Sequence, residues 1–125
     1  MIHKKISEIQ LEDLQLLITN QIAENKTLEY KALLKVDKDA DKKEFLYDVS
    51  SFANASGGDL IFGVAEGDEK GIPVSLDGLE DNMDELCRKI ENLIRDCISP
   101  RLLNIEIKVI PLAQIPFSLI PHYQK

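Results

Sequence analysis

Little in this chain invites a disulfide, a membrane or a nucleotide triphosphate. It has two cysteines and two histidines, and no apolar run approaches the roughly 20 residues of a membrane-spanning helix. Cys87 and Cys97 lie ten positions apart in one expected helix. At about 1.5 Å of rise per residue that sets them roughly 15 Å apart, too far for a disulfide with each other. They read as small residues facing or flanking a core. The opening MIHKKISEIQ lacks the apolar stretch of a secretory leader, so the expected location is the cytoplasm, without membrane contact. No Gly-x-x-x-x-Gly-Lys-Ser/Thr occurs, which excludes a P-loop, and Gly63, Gly67 and Gly71 do not fit the dinucleotide fingerprint. His3 and His122 fall in expected tails, and no Ser/His/Asp arrangement stands out.

Basic charge is also scarce. Fifteen Lys and Arg against 22 Asp and Glu leave a formal charge of −7. A free-standing duplex-DNA binder usually shows a basic face, so tight nucleic-acid binding by this chain alone is disfavoured, although a local patch is not. What the chain does have is a 44% hydrophobic fraction in 125 residues, enough for one core and one domain.

The organising stretch runs from Phe45 to Glu66. Phe45, Leu46, Val49, Phe52 and Ala53 recur at helical spacing up to Ser56-Gly57-Gly58, and Leu60, Phe62 and Val64 then alternate at strand spacing. The change of period across two glycines marks a helix–turn–strand corner, with Gly57 or Gly58 free to take positive φ. Gly63 weakens the strand Asp59 to Glu66 unless another backbone comes close there.

Around this corner the pattern predicts a helix from about Gln10 to Ala23, with Ser7 and Gln10 as capping box, and a half-buried strand from Leu28 to Leu34. Asp41 and Glu44 cap a second helix from Lys42 to Ala55. Ile72-Pro73-Val74 returns as a short edge strand. The strongest helical stripe (Met83, Leu86, Cys87, Ile90, Leu93, Ile94, Cys97, Ile98) lies in Glu80 to Ile98, with Asp81, Asp84 and Glu85 near its positive end and Pro100 closing it. Ile105, Ile107 and Val109 alternate as a strand. The order is α-β-α-β-β-α-β, with an optional last strand.

Carboxylates offer the most chemistry. Glu24 and Glu29 flank the start of the first strand, Glu66 ends the central one, and Asp68 follows it. If the strands are neighbours, these oxygens meet at one sheet end, where hard donors suit Mg²⁺ or Mn²⁺ and metal-assisted phosphodiester hydrolysis. The plainer alternative is solvated acids, with Glu29 paired to a lysine. Lys31 reads either as that salt-bridge partner or as a phosphate contact.

Glu24-Asn25-Lys26-Thr27-Leu28-Glu29-Tyr30-Lys31 resembles the Glu-x-x-x-apolar-Glu-aromatic-Lys opening of the Schlafen/AlbA-like DNA-binding domain family. Val49 to Gly58 (VSSFANASGG) is similar to its SAFANxxGG block, Leu60 to Val64 to the strand after it, and Ile98-Ser99-Pro100-Arg101 to its I-x-P-R. The motifs keep order over roughly residues 10 to 110. The resemblance implies an α+β fold of about three helices on a mostly antiparallel mixed sheet. It assigns residues 1–9 to a tail, 10–112 to the domain and 113–125 to its shortened C-terminal strand or tail.

Bacterial members are often labelled transcriptional regulators or RecG-like helicase-related proteins, and some carry an ATP-binding label. The resemblance therefore implies a DNA- or RNA-binding module without catalysis, with Lys31, Asn54 and Arg101 as candidate contacts. Animal relatives that cleave RNA use a carboxylate triad. By motif position Glu24 and Glu29 match two of its members, and Glu66, with Asp68 competing, falls near the third. The alternative is thus an RNase using Mg²⁺ or Mn²⁺ on Glu24, Glu29 and Glu66. Members usually place a further strand before an IP-x-S-x-x-x-PH segment, which Ile115 to His122 resembles, and a basic residue where Phe117 stands. A strand of order ten residues is missing by that comparison. It implies an open C-terminal sheet edge, a homodimer through that edge, or a truncated interaction remnant.

Overall fold

The helix and the strand of the corner at Phe45–Glu66 both form. The computed structural model describes residues 6–54, 58–80, 82–97, 105–111 and 117–123. Helix α2 (Asp39–Asn54) leads to strand β2 (Gly58–Phe62), which pairs in parallel with β1 (Leu28–Lys31) in the register Tyr30 to Ile61 and Lys31 to Phe62. Phe45, Val49 and Phe52 of α2 pack with Leu60 and Phe62 in one core cluster. The strands carrying Tyr30 and Phe62 are therefore neighbours under the helix carrying Phe52. Gly57 lies outside the described residues. At Gly58 a Cβ would stand 2.7 Å from the Thr27 carbonyl oxygen and 2.8 Å from Phe52 Cδ1, so close approach requires glycine there.

The expected single strand from Asp59 to Glu66 is two strands in two sheets. Gly63 breaks it, with φ at +97°. Its N–H donates to the Lys31 carbonyl (2.7 Å), and its own carbonyl accepts from Asp77 and Gly78 N–H (both 2.8 Å). A Cβ here would lie 2.7 Å from Gly78 Cα, which is the close backbone approach that excuses a glycine inside a strand pattern. Beyond this joint β3 (Val64–Glu66) pairs with β4 (Pro73–Leu76) as a separate antiparallel hairpin, irregular at Ala65/Glu66.

Helix α1 covers Leu11–Thr19, shorter than expected at both ends. Asp13 rather than Ser7 closes its first turn, accepting the Gln10 backbone N–H at 2.8 Å. The helix stops where Gln21 takes φ +51° and the N–H groups of Gln21 and Ile22 donate to Ile18 and Leu17 carbonyls. That is a Schellman ending with glutamine in the seat glycine usually fills. Helix α3 (Met83–Cys97) buries Leu86, Ile90 and Ile94, and Asn82 Oδ1 caps it by accepting from Glu85 N–H (3.1 Å).

The main sheet runs β1-β2-β6-β5, with β5 Ile105–Pro111 and β6 Phe117–Tyr123. This corrects the expectation that the last strand is an unpaired edge. β6 pairs antiparallel with β5 from Ile105/Tyr123 to Pro111/Phe117, and its other side pairs with β2. β6 is thus an inner strand and β5 takes the outer position, so the homodimer expected through an unpaired last strand is not supported. His122 lies in this strand, in register with Asp59 and Glu106, rather than in a tail.

The sheet is covered on both faces. The α2–α3 cluster lies on one side. Ile9, Leu14, Leu28, Tyr30, Ile61, Val64 and Ile110 form the other. Ile9, expected in the tail, is fully buried, and Lys108 Nζ donates to the carbonyls of Ser7 (3.2 Å) and Ile9 (2.5 Å).

Candidate functional site

β1 is an edge strand, so one row of its backbone groups needs partners from outside the sheet. Glu24 supplies one: its Oε2 accepts the Tyr30 N–H at 2.9 Å. The Glu24 N–H donates to the Gly71 carbonyl (2.9 Å), which ties the segment to the turn of the β3–β4 hairpin. The Tyr30 hydroxyl donates to the Ile22 carbonyl (2.7 Å), and burial, then the charge of Glu24, pushes that phenol up to about 12. Asn25 Oδ1 accepts from the Thr27 N–H (2.8 Å) and hydroxyl (2.9 Å), fixing the turn into the strand.

The hairpin brings Glu66 to the Glu24 side chain. Burial raises the Glu24 carboxyl above its ordinary 4.5, the Tyr30 N–H works against that, and a hydrogen bond to Glu66 and the charges of Glu66 and Glu29 raise it further. Two carboxyl groups can share a hydrogen bond when one carries a proton, which is how the neighbour Glu66 helps Glu24 keep its own.

Glu29 turns to a different company. Lys31 Nζ lies 3.6 Å from Glu29, 3.2 Å from Glu44 and 3.6 Å from Asp48. Burial acts to lower the Lys31 ammonium, but Asp48, Glu44 and Glu29 together outweigh it and raise it. Burial, then the charge of Asp48, raises the Glu29 carboxyl, with Lys31 opposing. The Lys31 charge is thus shared among three carboxylates, the salt-bridge alternative of the two its position allowed.

Two open clefts adjoin at Glu24 and Glu29. One, of about 370 Å³, is lined also by Tyr30, Lys31, Ala32, Val64, Glu66 and Lys70. The other, of about 360 Å³, is lined also by Asn25, Lys26, Leu28, Tyr47, Asp48, Ser51 and Phe52. Asp68 is exposed and lines neither. Among the described residues no three His, Cys, Asp or Glu side chains are grouped to hold a metal ion. Glu29 is ion-paired with Lys31, and its charge still reaches the Glu24 carboxyl. Asn54 is the last residue of α2, at the backbone level, and Arg101 lies outside the described residues. The spacing argument passed over Tyr47, Asp48 and Lys70. Only the position of Tyr47 on the solvent side of an otherwise apolar-periodic helix, with Asp48 at the border of its apolar stripe, could have signalled the first two.

The Schlafen, AlbA_2 family model matches residues 24–121, beginning at the glutamate that bridges the two clefts. The chain belongs to the Schlafen AlbA_2 family. A solved structure similar to this Schlafen AlbA_2 domain is the N-terminal domain of a protein from Nitrosomonas europaea named for its relation to the ATP-dependent DNA helicase RecG. It is 25% identical, the match covers 90% of this chain and 70% of that one, and the TM-score is 0.57. No curated protein matches the chain. No helix among the described residues is long and apolar enough to cross a membrane.

Proposed function

We propose that this Schlafen AlbA_2 domain is a cytoplasmic nucleic-acid-binding module of regulatory type, working through the paired clefts at Glu24 and Glu29. The meeting of two open clefts on those two residues carries the reading, and family membership and the RecG-related neighbour support its class. Lys26 and Lys70 stand on the outer walls and are exposed, so they can face phosphate, while Lys31 is engaged with Glu29, Glu44 and Asp48. Labelled DNA and RNA oligonucleotides titrated at falling salt test this. Binding should strengthen as salt is lowered, because phosphate contacts release counterions. No binding to either at low salt would remove the reading.

A second reading, a metal-dependent RNase, is favoured by the contact of Glu24 with Glu66 and the nearness of Glu29. The donor set is all carboxylate oxygen, which suits Mg²⁺ or Mn²⁺, and a like-charged pair is relieved by a cation. Glu24 and Glu66 would hold it, with Glu29 joining after release from Lys31. A bound ion would supply Lewis-acid polarisation of a phosphate and activation of water. Glu24 is already aimed by Tyr30 N–H and Gly71, and Lys31 positions Glu29 at the rim. RNA cleavage in Mn²⁺, lost in Glu24→Gln and Glu29→Gln, would establish it. An inactive wild-type chain would dismiss it and leave the binding module.

A further inference from the structure

Tyr47 is the most exposed large hydrophobic residue among those described, at 73%. It belongs to neither core cluster, so the fold does not need its ring. It nevertheless does not stand on open surface. It lines the same cleft as Glu24, Lys26 and Glu29, with Ser51 one helical turn further along α2. The Ser51 hydroxyl donates to the Tyr47 carbonyl (2.9 Å), which leaves its oxygen free to accept. One wall therefore offers an aromatic face and a hydroxyl, and the other an exposed ammonium and carboxylates. The volume falls within the ~300–1,000 Å³ range of small-ligand pockets.

An aromatic face beside a cation is how proteins take an unpaired nucleotide: the ring stacks on the base and the cation tracks the phosphate. In a duplex both faces of a base are already stacked, so the ring has nothing to meet. A chain of formal charge −7 also suits the lower charge density of a single strand better than that of a duplex. We propose that Tyr47 is a stacking platform for one unpaired base of single-stranded nucleic acid, with Lys26 toward its phosphate. This rests on the binding-module reading and narrows it to a substrate class.

The chain contains no tryptophan, so Tyr47→Trp places a single indole reporter at the site. Titrating the full chain with single-stranded DNA, single-stranded RNA of the same sequence, and the matching duplex should quench its fluorescence on a single strand and leave it unchanged on the duplex. The two single-strand arms decide whether DNA or RNA is the source of the base. Tyr47→Ala should weaken single-strand binding about 5- to 150-fold, the span of one lost base–aromatic stack, and Tyr47→Phe should stay within about 2-fold. If the wild type binds but Tyr47→Ala binds equally well, the platform is wrong and the binding module stands. If the wild type binds no strand at low salt, both fall together.

Discussion

Two carboxylate groups share the edge of β1, and they are balanced in opposite ways. Around Lys31 one ammonium serves Glu29, Glu44 and Asp48. Around Glu24 the neighbour is another acid, Glu66, and the one compensating donor is the Tyr30 backbone N–H. The first group ties β1 to α2. The second ties β1 to the β3–β4 hairpin and leaves negative charge at the mouth of a cleft. A charge cluster with its own counter-ion is complete as structure, whereas one without it is open to a ligand that brings charge or a proton.

The sharpest way to separate the two groups is at Gly63, the joint that carries Glu66 round to Glu24. Gly63→Val puts a branched side chain at φ +97° and against Gly78 Cα, so urea unfolding should show a loss of about 3 kcal/mol or more, the largest of the set. Removing the counter-ion comes next. Lys31→Met leaves three carboxylates facing one another, two of them less than a third exposed, and should cost about 1–2 kcal/mol in the same measurement, with the m-value unchanged.

Glu24→Gln should do the least at neutral pH. The amide oxygen still accepts the Tyr30 N–H and one like charge disappears, so stability should stay within about 0.5 kcal/mol. Glu24→Ala, which strands that N–H at the sheet edge, should lose about 1 kcal/mol.

The pH profile sharpens the contrast further. Glu24 and Glu29 titrate above 4.5, and Asp48 above 3.8, in the folded chain. The folded state then holds protons that the unfolded state releases, so ionisation of these groups weighs against the fold. That penalty is complete above the folded values and is lifted as pH falls toward 4.5 for the glutamates and 3.8 for Asp48. Midpoints of urea unfolding between pH ~7 and ~5 should therefore show these groups adding stability on acidification. Glu24→Gln should flatten part of the slope, and Lys31→Met should steepen it by raising Glu29 and Asp48 further.

Much of this was readable beforehand where periodicity is strong. Leu86, Ile90 and Ile94 announce α3, and the alternation of Leu28, Glu29, Tyr30 and Lys31 announces a strand with one polar face. What failed, failed at ends and joints. Gln21 closes α1 in a conformation that glutamine rarely adopts, and nothing local marks it. Gly63 looks like a weakness in one strand, yet it divides two sheets because Gly78, fifteen positions away, comes to meet it. The last strand looked like an unpaired remainder because pairing is a property of neighbours, and its neighbour β2 lies more than fifty residues earlier.

Local composition and period were enough to set the helices, the strands, the class and the acidic residues worth watching. They were enough because burial of an apolar face depends on spacing within one element. Packing alone decided that Glu24 faces Glu66, that Glu29 goes to Lys31, and that Tyr47 overlooks their cleft. Those choices depend on which backbone atoms are left without partners once the sheet has formed, and no stretch of chain contains that information by itself.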